Sequence, residues 1–213
     1  MELNILLDRI PETVEIGGAE HRINYDFRTS MLFEIMMGDS SLSNEDKAMN
    51  ALYLYYGEIT EDPDEAIGKL LWFYRCGEER KQKKQKKQKR FDEKTGKLVE
   101  VEEDPVDPVY SFEHDAPYIY AAFLQQYGID LTVEDMHWWK FKALFRSLSE
   151  DTKFMQIVGY RSIEINSDMS KQQKAFYRRM KETYALPLPE GEQERQDAIL
   201  EALMGDGNVS GLL

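Results

Sequence analysis

Apolar residues recur along this chain in blocks of helical spacing, and capping and stop residues separate the blocks. The first block is different. Val14 and Ile16 alternate with Thr13 and Glu15, Gly17-Gly18 follows, and Glu20 to Asn24 can run back. A Gly-Gly pair between two short segments predicts a β-hairpin, one too small to stand alone and therefore leaning on helices or on another subunit. Helical spacing then takes over. Thr29 or Ser30 can cap a segment holding Leu32, Phe33, Ile35, Met36 and Met37 that stops near Gly38. Ser43 opens a second helix with Ala48, Ala51, Leu52 and Tyr55 on its apolar face, closed by Gly57. Asp62-Pro63-Asp64-Glu65 opens a third: a cap, a proline in the first turn, and acids at the positive end of the helix dipole. Its buried face is expected at Ile67, Leu70, Leu71 and Tyr74, with Trp72 and Phe73 beside it.

The pattern breaks at Cys76-Gly77 and resumes at Tyr110. Residues 78–109 have almost no apolar content, so burial cannot offset the entropy of ordering them, and they read as an inserted charged arm or linker. Their first half can continue the preceding helix as a solvated rod. Phe91 to Val101 can form a small hairpin around Lys94-Thr95-Gly96-Lys97. Beyond the arm, Asp115 caps a helix whose stripe is Ala116, Ile119, Tyr120, Phe123, Leu124 and Tyr127, ending at Gly128. Thr132 with Asp135 suggests a capping box for a helix over 132–148 that is apolar nearly all round, carrying Trp138, Trp139, Phe141 and Phe145. Such a helix is central, or packs both inside the domain and against a partner. Ser149 is expected to cap a short helix running to Tyr160. Ser170 with Gln173 caps a last one that buries Phe176, Met180 and Tyr184. The expected architecture is mainly α: a helical bundle with a small N-terminal β-hairpin and an inserted charged arm. Residues 1–77 and 110–186 form one domain, 78–109 the arm, and 187–213 a polar tail with one short amphipathic segment at Ile199, Leu200, Leu203 and Met204.

Composition narrows the function. With 42% hydrophobic and 12% aromatic residues in 213, the chain is globular and can bury a sizeable core. The single Cys76 excludes an intramolecular disulfide and fits a reducing cytosol. No apolar run reaches bilayer length and the N-terminus lacks a secretory signal, so a cytoplasmic protein is expected, without a membrane partner. A net charge of −13 opposes general nucleic-acid binding. The charge is uneven. Residues 80–90 hold eight basic side chains and no acid, which leaves −21 on the rest. Lys81, Lys83, Lys84, Lys86, Lys87, Lys89 and Arg90 make this an electrostatic arm, without the interleaved aromatics that stack bases.

Reactive groupings are missing. His21, His114 and His137 lie far apart and lack metal-ligand spacing. Asp62, Asp64 and Glu65 are explained by helix-start charge, and their loop lacks the ligand count of a calcium site. Cys76 has no adjacent helix start and no basic partner before Arg80 other than Arg75. No phosphate-binding glycine loop, nucleophile elbow or metalloprotease motif is present. The chain therefore reads as a non-enzyme without metal or cofactor, working through its surfaces. Tyr120, Phe123, Tyr127, Trp138, Trp139, Phe141 and Phe145 are the partner-binding candidates, together with Leu200 and Leu203.

Particular strings carry a resemblance. Val14-Glu15-Ile16-Gly17-Gly18, Ile23-Asn24-Tyr25-Asp26-Phe27-Arg28, Asp115, Ile119-Tyr120-Ala121-Ala122-Phe123, Tyr127-Gly128-Ile129-Asp130-Leu131, Met136-His137-Trp138-Trp139-Lys140-Phe141, Gly159-Tyr160-Arg161 and Lys181 together make residues 12–186 resemble the gene-product-fifteen family of tailed phages and prophages of Gram-positive bacteria. The resemblance implies a tail-morphogenesis protein encoded beside the tape measure. Proteins in that position are usually tail assembly chaperones, which coat the tape measure and leave before the virion matures. The expected partners are the tape-measure protein, other tail proteins and further copies of the chain. Two alternatives belong to other classes: a nucleic-acid-binding phage protein using 80–90, and a tail-completion protein retained in the virion. Neither the basic strip nor the tail after Pro189 belongs to the resemblance.

Overall fold

The computed structural model describes residues 4–57, 62–78 and 108–187, together with the backbone of 88–91 and 98–101. The described chain is mainly α, as the spacing predicts. Strands β1 (Thr13–Ile16) and β2 (Ala19–Arg22) are followed by helices α1 (Phe27–Gly38), α2 (Asn44–Tyr56) and α3 (Pro63–Tyr74). Next come β3 (Gln88–Phe91) and β4 (Leu98–Val101), then α4 (Ala116–Tyr127), α5 (Trp138–Arg146), α6 (Lys153–Ser162) and α7 (Lys171–Thr183). β1 and β2 form the expected antiparallel hairpin with Glu15 opposite Glu20, and Gly17 and Gly18 supply its left-handed turn at φ 60° and 79°. The hairpin leans on α3, where Glu65 Oε2 accepts from Gly17 N at 2.7 Å. The strands of the second expected hairpin also pair, β3 antiparallel to β4 with Phe91 opposite Leu98; its turn at Lys94–Lys97 lies outside the described residues.

Local signals account for much of the helix layout. Ser43 caps α2 through Asp46 N, and Asp62 caps α3 through Glu65 N with Pro63 in the first turn. Ser170 and Gln173 close a reciprocal capping box on α7. Other expectations are corrected by tertiary contacts. α1 is capped by Asp26, not Thr29 or Ser30; both are buried, and Ser30 Oγ shares a hydrogen bond of 2.8 Å with Tyr55 Oη. The buried face of α3 is centred on Ala66, Leu70 and Phe73, with Ile67, Leu71 and Tyr74 only half-buried. α3 stops at Tyr74, because Cys76 and Gly77 take φ 60° and 80°; residues 79–87 of the arm, where a solvated rod is expected, lie outside the described residues. A Cβ on Gly77 meets the Trp139 ring at 3.1 Å, so this turn needs glycine for space as well as for its φ. α6 is capped by Thr152, while Ser149 supplies a carbonyl to the Thr152 hydroxyl. α7 buries none of its side chains. Phe176 is 48% exposed, and Met180 and Tyr184 are half-buried.

One aromatic core joins the two halves of the chain. Phe141 of α5 is 0% exposed and is its hub. It stacks on Phe27 of α1 and Phe123 of α4 at 5.0 Å each, and on Trp138 and Phe145 of its own helix at 5.7 and 5.6 Å. Phe112 adds a tilted contact at 6.1 Å. α5 is thus the central helix that its all-round apolar pattern predicts, though shorter than expected.

Candidate functional site

The cap of α5 lies five residues later than the capping-box pattern at Thr132 suggests. Asp130 Oδ1 takes Thr132 N at 2.9 Å and Thr132 Oγ1 at 2.6 Å, which holds Thr132 in a turn instead of a helix cap. The cap is His137. Its Nδ1 accepts from Trp139 N at 3.0 Å, so Nε2 carries the proton and donates to Pro11 O at 3.1 Å. The ring stacks on Tyr25 at 5.2 Å. Burial, the largest influence, pushes the His137 pKa down; Lys140 pushes the same way, and the Pro11 carbonyl and Glu12 oppose it.

The two tryptophans beside this cap close the end of another helix. Trp138 Nε1 donates to Tyr74 O and Trp139 Nε1 to Phe73 O, each at 2.8 Å. These carbonyls belong to the last turn of α3, where helical partners run out. Across the same junction Trp138 N donates to Tyr25 O at 2.8 Å and Phe27 N to Met136 O at 3.0 Å. The His-Trp-Trp string is therefore a joint fastening α3, α5 and the strand-like lead-in to α1.

A second joint ties the C-terminal helices. Asp115 and Arg161 form a two-toothed ion pair, Nη1 to Oδ2 at 2.6 Å and Nη2 to Oδ1 at 2.9 Å, with Asp115 1% exposed. Arg161 also donates to Tyr184 O at 2.5 Å and Val109 O at 3.2 Å, and Asp115 accepts from Ser111 N. Lys181 Nζ reaches Arg161 O at 2.7 Å. Asp115 stands at the cap position of α4 but makes no side-chain cap bond, because its carboxylate is turned to Arg161. A third joint uses Arg28, which donates to Leu131 O at 2.8 Å and Glu134 O at 3.0 Å.

The partner-binding candidates divide. Phe123, Trp138, Trp139 and Phe141 are at most 4% exposed, so the expectation that they meet a partner is corrected: they are core, sealed by α1, α3 and α4. Tyr120, Tyr127 and Phe145 are half-buried, and Tyr127 donates to Leu144 O at 2.9 Å. Leu124 was expected on the buried stripe but is 45% exposed, and it lies between Tyr120 and Tyr127 on the outer side of α4. Leu200, Leu203, Lys81, Lys83, Lys84, Lys86 and Lys87 lie outside the described residues, as do the side chains of Lys89 and Arg90.

Sequence reading missed one polar cluster. Glu34 of α1 accepts from Tyr74 Oη, and Lys142 of α5 sits over the Tyr74 and Trp138 rings at 4.5 and 4.8 Å. Burial lowers the Lys142 pKa and raises that of Tyr74. The same burial pushes the Cys76 thiol up to about 11, although Lys142 and Arg146 pull it down, so the thiol stays protonated at neutral pH and is a poor nucleophile. Residues so distant in sequence carry no local signal of their meeting.

Among the described residues, no group of three or more His, Cys, Asp or Glu is placed to hold a metal ion. No described helix is long and apolar enough to cross a membrane. The model of the family described as Bacteriophage Gp15 protein matches residues 6–186. No curated protein and no solved structure matches the chain.

Proposed function

We propose, from the premise that this chain belongs to the bacteriophage Gp15 protein family, that it is a tail assembly chaperone. In this reading it binds the tape-measure protein during tail morphogenesis, catalyses no reaction, associates with further copies of itself in the host cytoplasm and leaves before the virion matures. The observation that carries the reading is the family match across residues 6–186, in which the aromatic and charged motif residues are spent on internal joints. The best-placed surface for a long helical client is the outer ridge of α4, Tyr120, Leu124 and Tyr127, at helical spacing and partly open to solvent. Many weak contacts of this kind along one client sum to firm binding.

Co-expression with the tape-measure protein tests the proposal. The client is expected to be soluble and to co-purify with the wild type, and to lose both properties with Leu124→Glu. A client that stays insoluble and alone sinks the chaperone reading. Mass spectrometry of purified particles is expected to find none of this chain; stoichiometric amounts there transfer it to the retained tail components.

A further inference from the structure

α7 is an anomaly on this chain. It carries five cations, Lys171, Lys174, Arg178, Arg179 and Lys181, against one acid, Glu182, in a protein of net charge −13. It packs on α6, and tethers fix it in place: the Lys181 bond to Arg161 O, the Arg161 bond to Tyr184 O, and stacking of Tyr184 on Tyr160 at 5.9 Å. Lys174 is occupied with Ser167 O. Lys171, Arg178 and Arg179 are exposed and have no ion-pair partner among the described residues. Phe176, half open to solvent and edge-to-face with Tyr160 at 6.1 Å, neighbours Arg179 one turn on, while Lys171 and Arg178 lie on the far side of the solvent-facing arc. Lys171, Arg178 and Arg179 thus give the solvent side of an ordered helix an unpaired cationic face.

The complement is at the other end of the same chain. The described residues between 4 and 78 hold thirteen acids and six bases, a net −7. The hairpin and the start of α3 concentrate this charge. Glu15 and Glu20 stand directly opposite each other across the strands, both exposed, and the Glu65 bond to Gly17 N brings Asp64 to the same end. Like charges directly opposite on a strand pair are unfavourable, and a cation lodged between them removes that penalty. Within one molecule α7 packs on α6 while the hairpin packs on α3.

We propose that the Lys171/Arg178/Arg179 face of α7 docks on the Glu15/Glu20 hairpin end of a second copy of this chain, in a head-to-tail contact. The two surfaces differ, so the contact is heterologous and repeats into a ring or an open filament, not a closed two-fold dimer. The proposal deepens the self-association named above and rests on that part of the reading. Exposed ion pairs are individually weak and are screened by salt, so assembly is concentration-dependent and loosens as ionic strength rises.

Sedimentation of the full-length protein tests it. At about 50 mM salt the wild type is expected to grow past dimer with concentration, and association is expected to weaken ~10-fold or more at about 500 mM. Arg178→Glu/Arg179→Glu and Glu15→Lys/Glu20→Lys are expected to be folded monomers when alone. Mixed, they are expected to associate again and to grow past dimer, because each retains the surface the other has lost and the two reversed surfaces also match in charge. A wild type monomeric at both salts overturns the proposal. So do variants that associate as the wild type does, or a mixture that stays monomeric. A single-stranded oligonucleotide that binds monomeric wild type and is lost with Arg178→Glu/Arg179→Glu reassigns the face to nucleic acid. Failure of client co-purification by an assembling wild type removes the chaperone role and leaves this contact standing.

Discussion

α5 and α7 are opposite uses of an amphipathic sequence. α5 has nine residues and buries Trp138, Trp139 and Phe141; α7 has thirteen and buries none. The first is held by rings and by indole bonds to the end of α3, the second by tethers at its C-terminal end and by a capping box. The aromatic richness that suggests an interface in the sequence is the interior of the fold. The modest helix keeps one open phenylalanine and its arginines at the surface. Aromatic content alone does not separate hot spot from core; the partners of the rings do.

The largest expected effect is at the hub. Phe141→Ala leaves a cavity among stacked rings and is expected to cost about 3–5 kcal/mol in denaturant unfolding. A loss under about 1 kcal/mol there removes the distinction drawn for α5. Arg161→Met strands the Asp115 carboxylate in the interior, with an expected loss of about 3 kcal/mol. Because Arg161 also tethers Tyr184, hydrogen exchange in α7 is expected to accelerate ahead of global unfolding.

His137 gives a smaller, pH-dependent effect. Its folded pKa lies below the ordinary 6.5, so the neutral ring contributes stability that is fully present above that value. That contribution is lost as pH falls through the folded pKa, where protonation takes the Nδ1 lone pair from Trp139 N. A melting-temperature series is expected to fall more steeply below pH 6.5 for the wild type than for His137→Asn, which keeps a capping acceptor without titrating; parallel curves contradict this. Smallest of all, Phe176→Ser on α7 is expected to shift stability by no more than ~0.5 kcal/mol, and a loss comparable to that at Phe141 erases the contrast.

What was legible in the sequence follows range. Ser43, Asp62 and Ser170 find their donors three residues on, and all three starts are read correctly. The hairpin is equally local, fixed by Gly17-Gly18. The start of α5 fails because Asp130 outcompetes a helix for Thr132, and because histidine caps carry little sequence signal. The face of α3 is rotated since its centre, Phe73, packs on Tyr55 of α2 and on Trp139, 66 residues away. Asp115 and Arg161, 46 residues apart, are read as a cap and a motif residue before the fold joins them. The candidate contact set fails at Phe123, Trp138, Trp139 and Phe141 for the same reason: a stripe reveals which side is apolar, not which neighbour covers it.

The indole bonds to the last carbonyls of α3 give the molecule its own optical gauge. Trp138 and Trp139 have their N–H groups engaged and their rings shielded from quenchers, so their emission follows the integrity of the α3–α5 joint and ignores events on the outer skin. Trp72, half-buried and edge-on to Trp139 at 5.7 Å, is the tryptophan a quencher reaches first. Collisional quenching of the intact protein thus reports on one fluorophore, and a red shift of the remainder signals that the joint has parted.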